Sequence, residues 1–222
     1  MGRHSLRIIV VLGALVTLVG GTGIFAVFTD RATTGYNSVG SGPRAQSADL
    51  AIAEGDVVAE AIDCGSFSED LATNLFSVAD VQPGDPTISA DVCLINNGSG
   101  DLAITANAID LNDEDEACTG DEEEAGDTTC GGFQAGELGS VLAVQIDRIT
   151  CATNASEPIQ SNSVVNWTTN PVAIPGEPLA PGEIACLRLL AFYPSTTAET
   201  SIQLAQSDRV QWRFAFDGTA VE

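Results

Sequence analysis

Lysine is absent from this chain of 222 residues, and its one histidine, His4, lies among the first ten. With so little histidine there can be no H-E-x-x-H zinc motif, and Ser/His/Asp or Cys/His machinery has no base after residue 4. With no lysine there is no Ser–Lys dyad. C-x-x-C pairs are missing too, which excludes zinc-ribbon spacing. The D-x-D-x-D-G run of an EF-hand is also absent. Basic charge is scarce: 8 arginines face 31 acids, for a net charge of −23. Phosphate backbones and anionic lipid need a basic surface, so neither nucleic acid nor an anionic lipid surface is an expected partner.

The clearest positive signal is at the start. Arg3 and Arg7 precede an apolar run from Ile8 to Val19, followed by Gly20-Gly21-Thr22-Gly23-Ile24-Phe25-Ala26. A positive start, a short apolar core and small residues before a cut form a secretory signal peptide. We expect residues 1–26 to be this leader, with cleavage between Ala26 and Val27. The alternative is a retained leader acting as an anchor, since residues 8–28 are barely long enough to span a bilayer. Cleavage removes two arginines and no acid, leaving six arginines against 31 acids, a charge of −25. Such charge opposes self-association, but salt shortens its reach to roughly 8 Å at physiological strength and about 3 Å at 1 M. The acidity fits either a halophilic protein or a generically acidic secreted one.

Pro and Gly together number 31, and the apolar runs after the leader are short and rich in Val, Ile, Leu and Ala. That pattern predicts an all-β fold, a sandwich or barrel, in a single domain over 48–222. Strands are expected at Ala48–Ala53, Val57–Ile62, Ile88–Ile95, Leu102–Leu111, Ile184–Tyr193 and Val210–Phe216, with a hairpin through Asn96-Asn97-Gly98-Ser99-Gly100 joining the third and fourth. Asp70–Phe76 reads as a helical turn. Glu137–Ile149 reads as a strand opened by a short helix. A short strand is expected around Val164–Trp167 within a proline-rich loop. Residues 27–47 are rich in Thr, Gly and Ser and cannot bury themselves, so they read as an extended arm.

Six cysteines in a secreted chain predict disulfides. Cys118 and Cys130 bracket an acidic insert and are paired here. Cys93 and Cys186 sit mid-strand in segments able to face one another, which leaves Cys64 with Cys151. The insert spans about 110–137, and residues 112–132 hold nine acids and no base. Asp113, Asp115, Glu116 and Asp121 offer hard oxygen ligands for Ca²⁺. Set against this is a solvated loop, the usual fate of a charge run, with no cofactor at all. Asn97, Asn154 and Asn166 open N-x-[ST] tripeptides and are glycosylation candidates, Asn154 foremost.

Three segments carry a family resemblance. The first is Gly20-Gly21-x-Gly23-x-x-Ala26-x-Phe28-x-Asp30, followed by Ala48-Asp49-Leu50. The second is Val81-Gln82-Pro83-Gly84-Asp85, a strand, then Asn96-Asn97-Gly98-Ser99. The third is Pro181-Gly182-Glu183, a strand, then Gln211-Trp212-Arg213-Phe214-Ala215-Phe216. In this order they resemble the TasA/camelysin family of secreted fibre-forming and cell-surface proteins, in the form of a relative from high-salt archaea or high-GC bacteria. The resemblance implies a jelly-roll-like sandwich and processing by a SipW-type signal peptidase. It also implies a structural role in an extracellular fibre of a biofilm matrix or cell surface, beside other matrix or surface components; the lack of lysine and of histidine after residue 4 argues against an enzyme. Polymerisation would run head to tail by donor-strand complementation, through an arm that includes Val27, Phe28, Thr29, Asp30, Ala48, Asp49 and Leu50. The other readings are a membrane-anchored monomeric surface protein and a camelysin-like metallopeptidase.

Overall fold

A computed structural model describes residues 29–33, 48–71, 74–76, 81–115, 119–129, 131 and 135–221. The leader, the cleavage site Ala26/Val27 and Phe28 lie outside the described residues. So do Glu116, Cys118 and Cys130, and with them the pairing proposed for those two cysteines.

Two antiparallel sheets form a β-sandwich. The strands are β1 (Thr29–Thr33), β2 (Leu50–Val58), β3 (Ala61–Cys64), β4 (Ile88–Asn96), β5 (Leu102–Asp115), β6 (Ala143–Ile149), β7 (Ser156–Ser163), β8 (Val172–Ala173), β9 (Ile184–Phe192) and β10 (Asp208–Ala220). One sheet has the order β1-β10-β5-β8, the other β3-β2-β4-β9-β6-β7. Four short helices complete the described elements: α1 (Gly120–Ala125), α2 (Leu138–Val141), α3 (Val164–Thr169) and α4 (Glu199–Leu204). No described helix is long and apolar enough to cross a membrane.

Period-two alternation explains the central strands. Leu102, Ile104, Ala106 and Ala108 of β5 are buried, as are Phe214 and Phe216 of β10, and they meet Leu50, Ile52, Val92, Leu94, Leu187 and Leu189 of the other sheet in one core. Trp167 closes that core from α3. It is 0% exposed, donates Nε1–H to the Val144 carbonyl at 2.8 Å and packs edge-on against Phe214.

Several expectations are corrected. Residues 96–100 do not form a hairpin, because β4 and β5 belong to different sheets. The buried Asn96 side chain donates to the carbonyls of Gly100 and Leu179 and accepts from the Gly98 amide, fixing a turn that carries the chain across the sandwich. The segment expected as one strand at Val57–Ile62 is broken by a tight turn, with Ala59 and Glu60 both at positive φ. Val164–Trp167 is helical. The Ser163 hydroxyl accepts from the Asn166 amide as a cap, and Val164 and Trp167, three apart, bury the same face. The strand in that region is instead β7, a mostly polar edge strand with no fully buried residue. No helix occurs among the described residues of 70–76.

The cysteine pairing is corrected as well: Cys64 bonds Cys93, and Cys151 bonds Cys186. Cys93 and Cys186 do stand opposite each other on β4 and β9, their sulfurs 3.8 Å apart. Each points away from the main core, out of phase with Val92 and Leu187 respectively, into a small second cluster with Ala53, Ile62 and Ile149. Cys64 and Cys151 approach over this face, where the Ile62 amide donates to the Cys151 carbonyl. Each strand cysteine therefore bonds the segment folded over it and not its neighbour across the ladder.

Candidate functional site

The four-stranded sheet carries two features of functional interest, one along its edge and one at its end. Along the edge, β1 pairs antiparallel with β10, in register from Thr29↔Thr219 to Thr33↔Ala215. Thr29–Thr33, part of the segment expected to act as a donor strand, thus lies on its own chain's β10. It covers five positions of a 13-residue strand. A strand edge presents a row of amides and carbonyls that pairs readily with an extended segment from any source. Between Thr33 and Leu50 lie 16 residues, 34 to 49. At roughly 3.3–3.6 Å each when extended, such a span reaches about 55 Å. Of the remaining arm residues, Ala48 packs against the core and Leu50 is a fully buried core residue that begins β2. The Asp49 carbonyl accepts from the Asn97 amide.

At the end of the sheet, where β5 stops and β10 starts, acidic side chains converge. Asp115 and Asp208 are register partners, and Asp113 lies opposite Val210. Asp113 and Asp115 are only 6% and 3% exposed. Alternation puts Glu114 on the other face, where Arg209 pairs with it at 2.9 Å. Asp127, after α1, and Glu137, at the cap of α2, bring two more carboxylates. The backbone of 136–139 wraps Asp113: the Gly139 amide donates to its Oδ2 at 2.8 Å. A Cβ on Gly139 would fall 2.5 Å from that oxygen, and one on Gly136 2.9 Å from Oδ1, so a side chain at either position would displace the Asp113 carboxylate. The amides of Glu137 and Leu138 donate to Asp208 Oδ2.

Electrostatics follow from this crowding. Burial pushes the Asp113 carboxyl up to about 6 against the pull of the Gly139 amide, with Asp208 adding to the rise. Burial likewise raises Asp208 to about 6 against the pull of the Glu137 and Leu138 amides, with Asp115 and Glu122 contributing to the rise. Glu137 rises to about 7 through burial and then through Asp127, Asp208, Asp115 and Asp113. A carboxyl raised in the folded state favours its protonated form there, so the ionised cluster weakens the fold above these values.

The sequence singled out Asp113 and Asp115, and the structure brings them together. Asp121 lies apart, exposed on α1. The sequence missed Asp127, Glu137 and Asp208; the last two are remote in sequence, and only the β5–β10 register and the α2 cap deliver them. The acidic run also departs from a wholly solvated loop: Glu122 is 0% exposed, its carboxylate accepting from the Thr119 amide and the Ser207 hydroxyl.

Among the glycosylation candidates, Asn97 and Asn166 are exposed. Asn154 is half-buried at φ 53°, and its side-chain oxygen accepts from Arg188, which also grips Asp91 through two bonds of 2.7 Å. Cys64, Cys93 and Cys186 form the one trio of potential metal ligands among the described residues whose atoms lie within 4.8 Å of each other, but all three are committed to disulfides. Against known proteins, neither a family model nor a curated sequence matches the chain.

Proposed function

We propose that this protein is a secreted structural subunit of an extracellular fibre, polymerising when the arm of one subunit pairs with the sheet edge of the next. The observation that carries the reading is the antiparallel pairing of β1 with β10. It supports a β10 edge complementary to the arm, and the same hydrogen bonds serve whether the strand comes from its own chain or from a neighbour. Exchange of identical pairings between subunits costs little enthalpy and yields an open chain when the contact does not close. The two disulfides among the described residues suit an oxidising compartment outside the cytoplasm. In this reading a SipW-type signal peptidase frees the arm, the principal partner is a second copy of the chain, and other matrix or surface components join the fibre.

The test is negative-stain microscopy at high salt of the chain beginning at Val27, beside a variant lacking 27–47. The expected result is fibres from the first and none from the second. Monodisperse particles from both would instead favour an anchored, monomeric surface domain, with β1 serving only to cover its own edge.

A further inference from the structure

We propose that the acidic cluster at the end of the β5–β10 pair is a binding site for a divalent cation of the calcium type, built by Asp113, Asp115, Asp127, Glu137 and Asp208. Buried oxygens without a hydrogen-bond partner point to it: Asp113 Oδ1, both oxygens of Asp115, Asp127 Oδ2, Glu137 Oε2 and Asp208 Oδ1. Asp115 is the decisive member. At 3% exposure its carboxylate meets no hydrogen-bond donor among the described residues, although it lies opposite Asp208 and close enough to raise Glu137. An unpaired buried carboxylate is costly, and such groups in native proteins are paired or hold a metal. The partner amides supplied by Glu137, Leu138 and Gly139 each bind one oxygen of a carboxylate, Asp208 Oδ2 or Asp113 Oδ2, and leave the other free.

The donor set selects the ion. It is all oxygen, which excludes metals that require nitrogen or sulfur. It comes from two strand ends, a helix cap and a loop, an irregular frame that suits the flexible six- to eightfold coordination of Ca²⁺ at about 2.3–2.6 Å better than the strict octahedron of Mg²⁺. No three of these carboxylates yet bring oxygens within 4.8 Å of one another, so closure onto an ion requires the side chains to rotate inward. Bound there, the ion ties α1 and the start of α2 to the strand ends. This proposal is independent of the fibre reading, since it concerns the other end of the sheet.

Titration calorimetry with CaCl₂ on purified protein stripped with a chelator tests it, alongside the thermal midpoint. We expect saturable binding with a raised midpoint and a weaker response to MgCl₂. Asp115→Asn, and independently Asp208→Asn and Glu137→Gln, should weaken Ca²⁺ by roughly tenfold or more. Asp121→Asn, which changes an exposed acid of the same segment, should bind as before. Absence of saturable binding overturns the proposal. So does equal loss of binding across the exposed and buried variants, which would mark diffuse attraction to an acidic surface. Circular dichroism identifies any variant that does not fold, and the other two then carry the result.

Discussion

Replacing Cys64 and Cys93 together by alanine should lower stability by an amount set by the loop they close. The bond spans 29 residues. Chain-entropy arguments give about 3.6 kcal/mol at 25 °C for such a loop. The same reasoning gives about 3.8 kcal/mol for the Cys151–Cys186 bond, with its separation of 35. For a domain of this size, 1 kcal/mol moves the thermal midpoint by roughly 2–4 °C, so the first double variant should melt about 7–14 °C lower. Cys93 is 0% exposed in the second apolar cluster, and the lost sulfur adds a smaller packing penalty in the same direction. Calorimetry reads the shift, and peptide mapping without reductant reads the connectivity. A link between the peptides of Cys93 and Cys186 would refute the pairing. Full retention of the midpoint would refute the claim that this bond stabilises the fold by tying β3 to β4.

Three further outcomes follow from packing and charge. Trp167→Ala empties a fully buried site and should cost about 3–5 kcal/mol, read as a lower urea midpoint; an unchanged midpoint would show that α3 does not close the core. Arg188→Met leaves the carboxylate of Asp91, 7% exposed, without its two-pronged partner and releases Asn154; we expect a loss of about 2–3 kcal/mol in the same assay, and a neutral result would mean the pair is fully compensated by solvent. Assembly followed by sedimentation should strengthen from dilute buffer to molar salt, because screening removes repulsion between acidic subunits; stronger assembly at low salt would sink that argument.

The strands legible in the sequence are those with one face in the core. β4, β5, β9 and β10 alternate because Val92, Leu94, Ile104, Leu187 and Phe214 must point inward while their neighbours do not. Where burial does not alternate, the pattern is silent. β7 buries none of its residues fully and so looks like a loop. α3 contains two valines and two threonines, which favour strands, and is helical only because Ser163 caps it and Trp167 fills the core. The turn at 96–100 has the Asn and Gly of a hairpin, and only the partners of the Asn96 side chain reveal that it changes sheets. The acidic cluster is hidden for a related reason. Composition says that charge runs stay in water, whereas the register of β5 against β10 and the cap of α2 draw Asp115, Asp208 and Glu137 together from separate parts of the chain.

The register of the arm makes strand exchange open to a decisive test. Thr29 and Thr219 are opposed in the β1–β10 pair. Opposed residues in an antiparallel pair lie about 4.5–5.5 Å apart at Cα, within the span a disulfide bridges. With Thr29→Cys and Thr219→Cys in one chain, the order of oxidation and assembly separates the two sources of the strand. Oxidised first, in dilute buffer, the arm is locked on its own sheet; the protein should run as a monomer without reductant and form no fibres when salt is raised. Assembled first and oxidised afterwards, the same variant should give a ladder of covalent multimers, each step one subunit, because every link then joins neighbours. Either single variant controls for chance coupling through the added thiol. Fibres from the pre-locked protein would show that the arm is not the element exchanged. A fibre that yields only monomers after oxidation would show that β1 stays on its own chain and that subunits meet through another face.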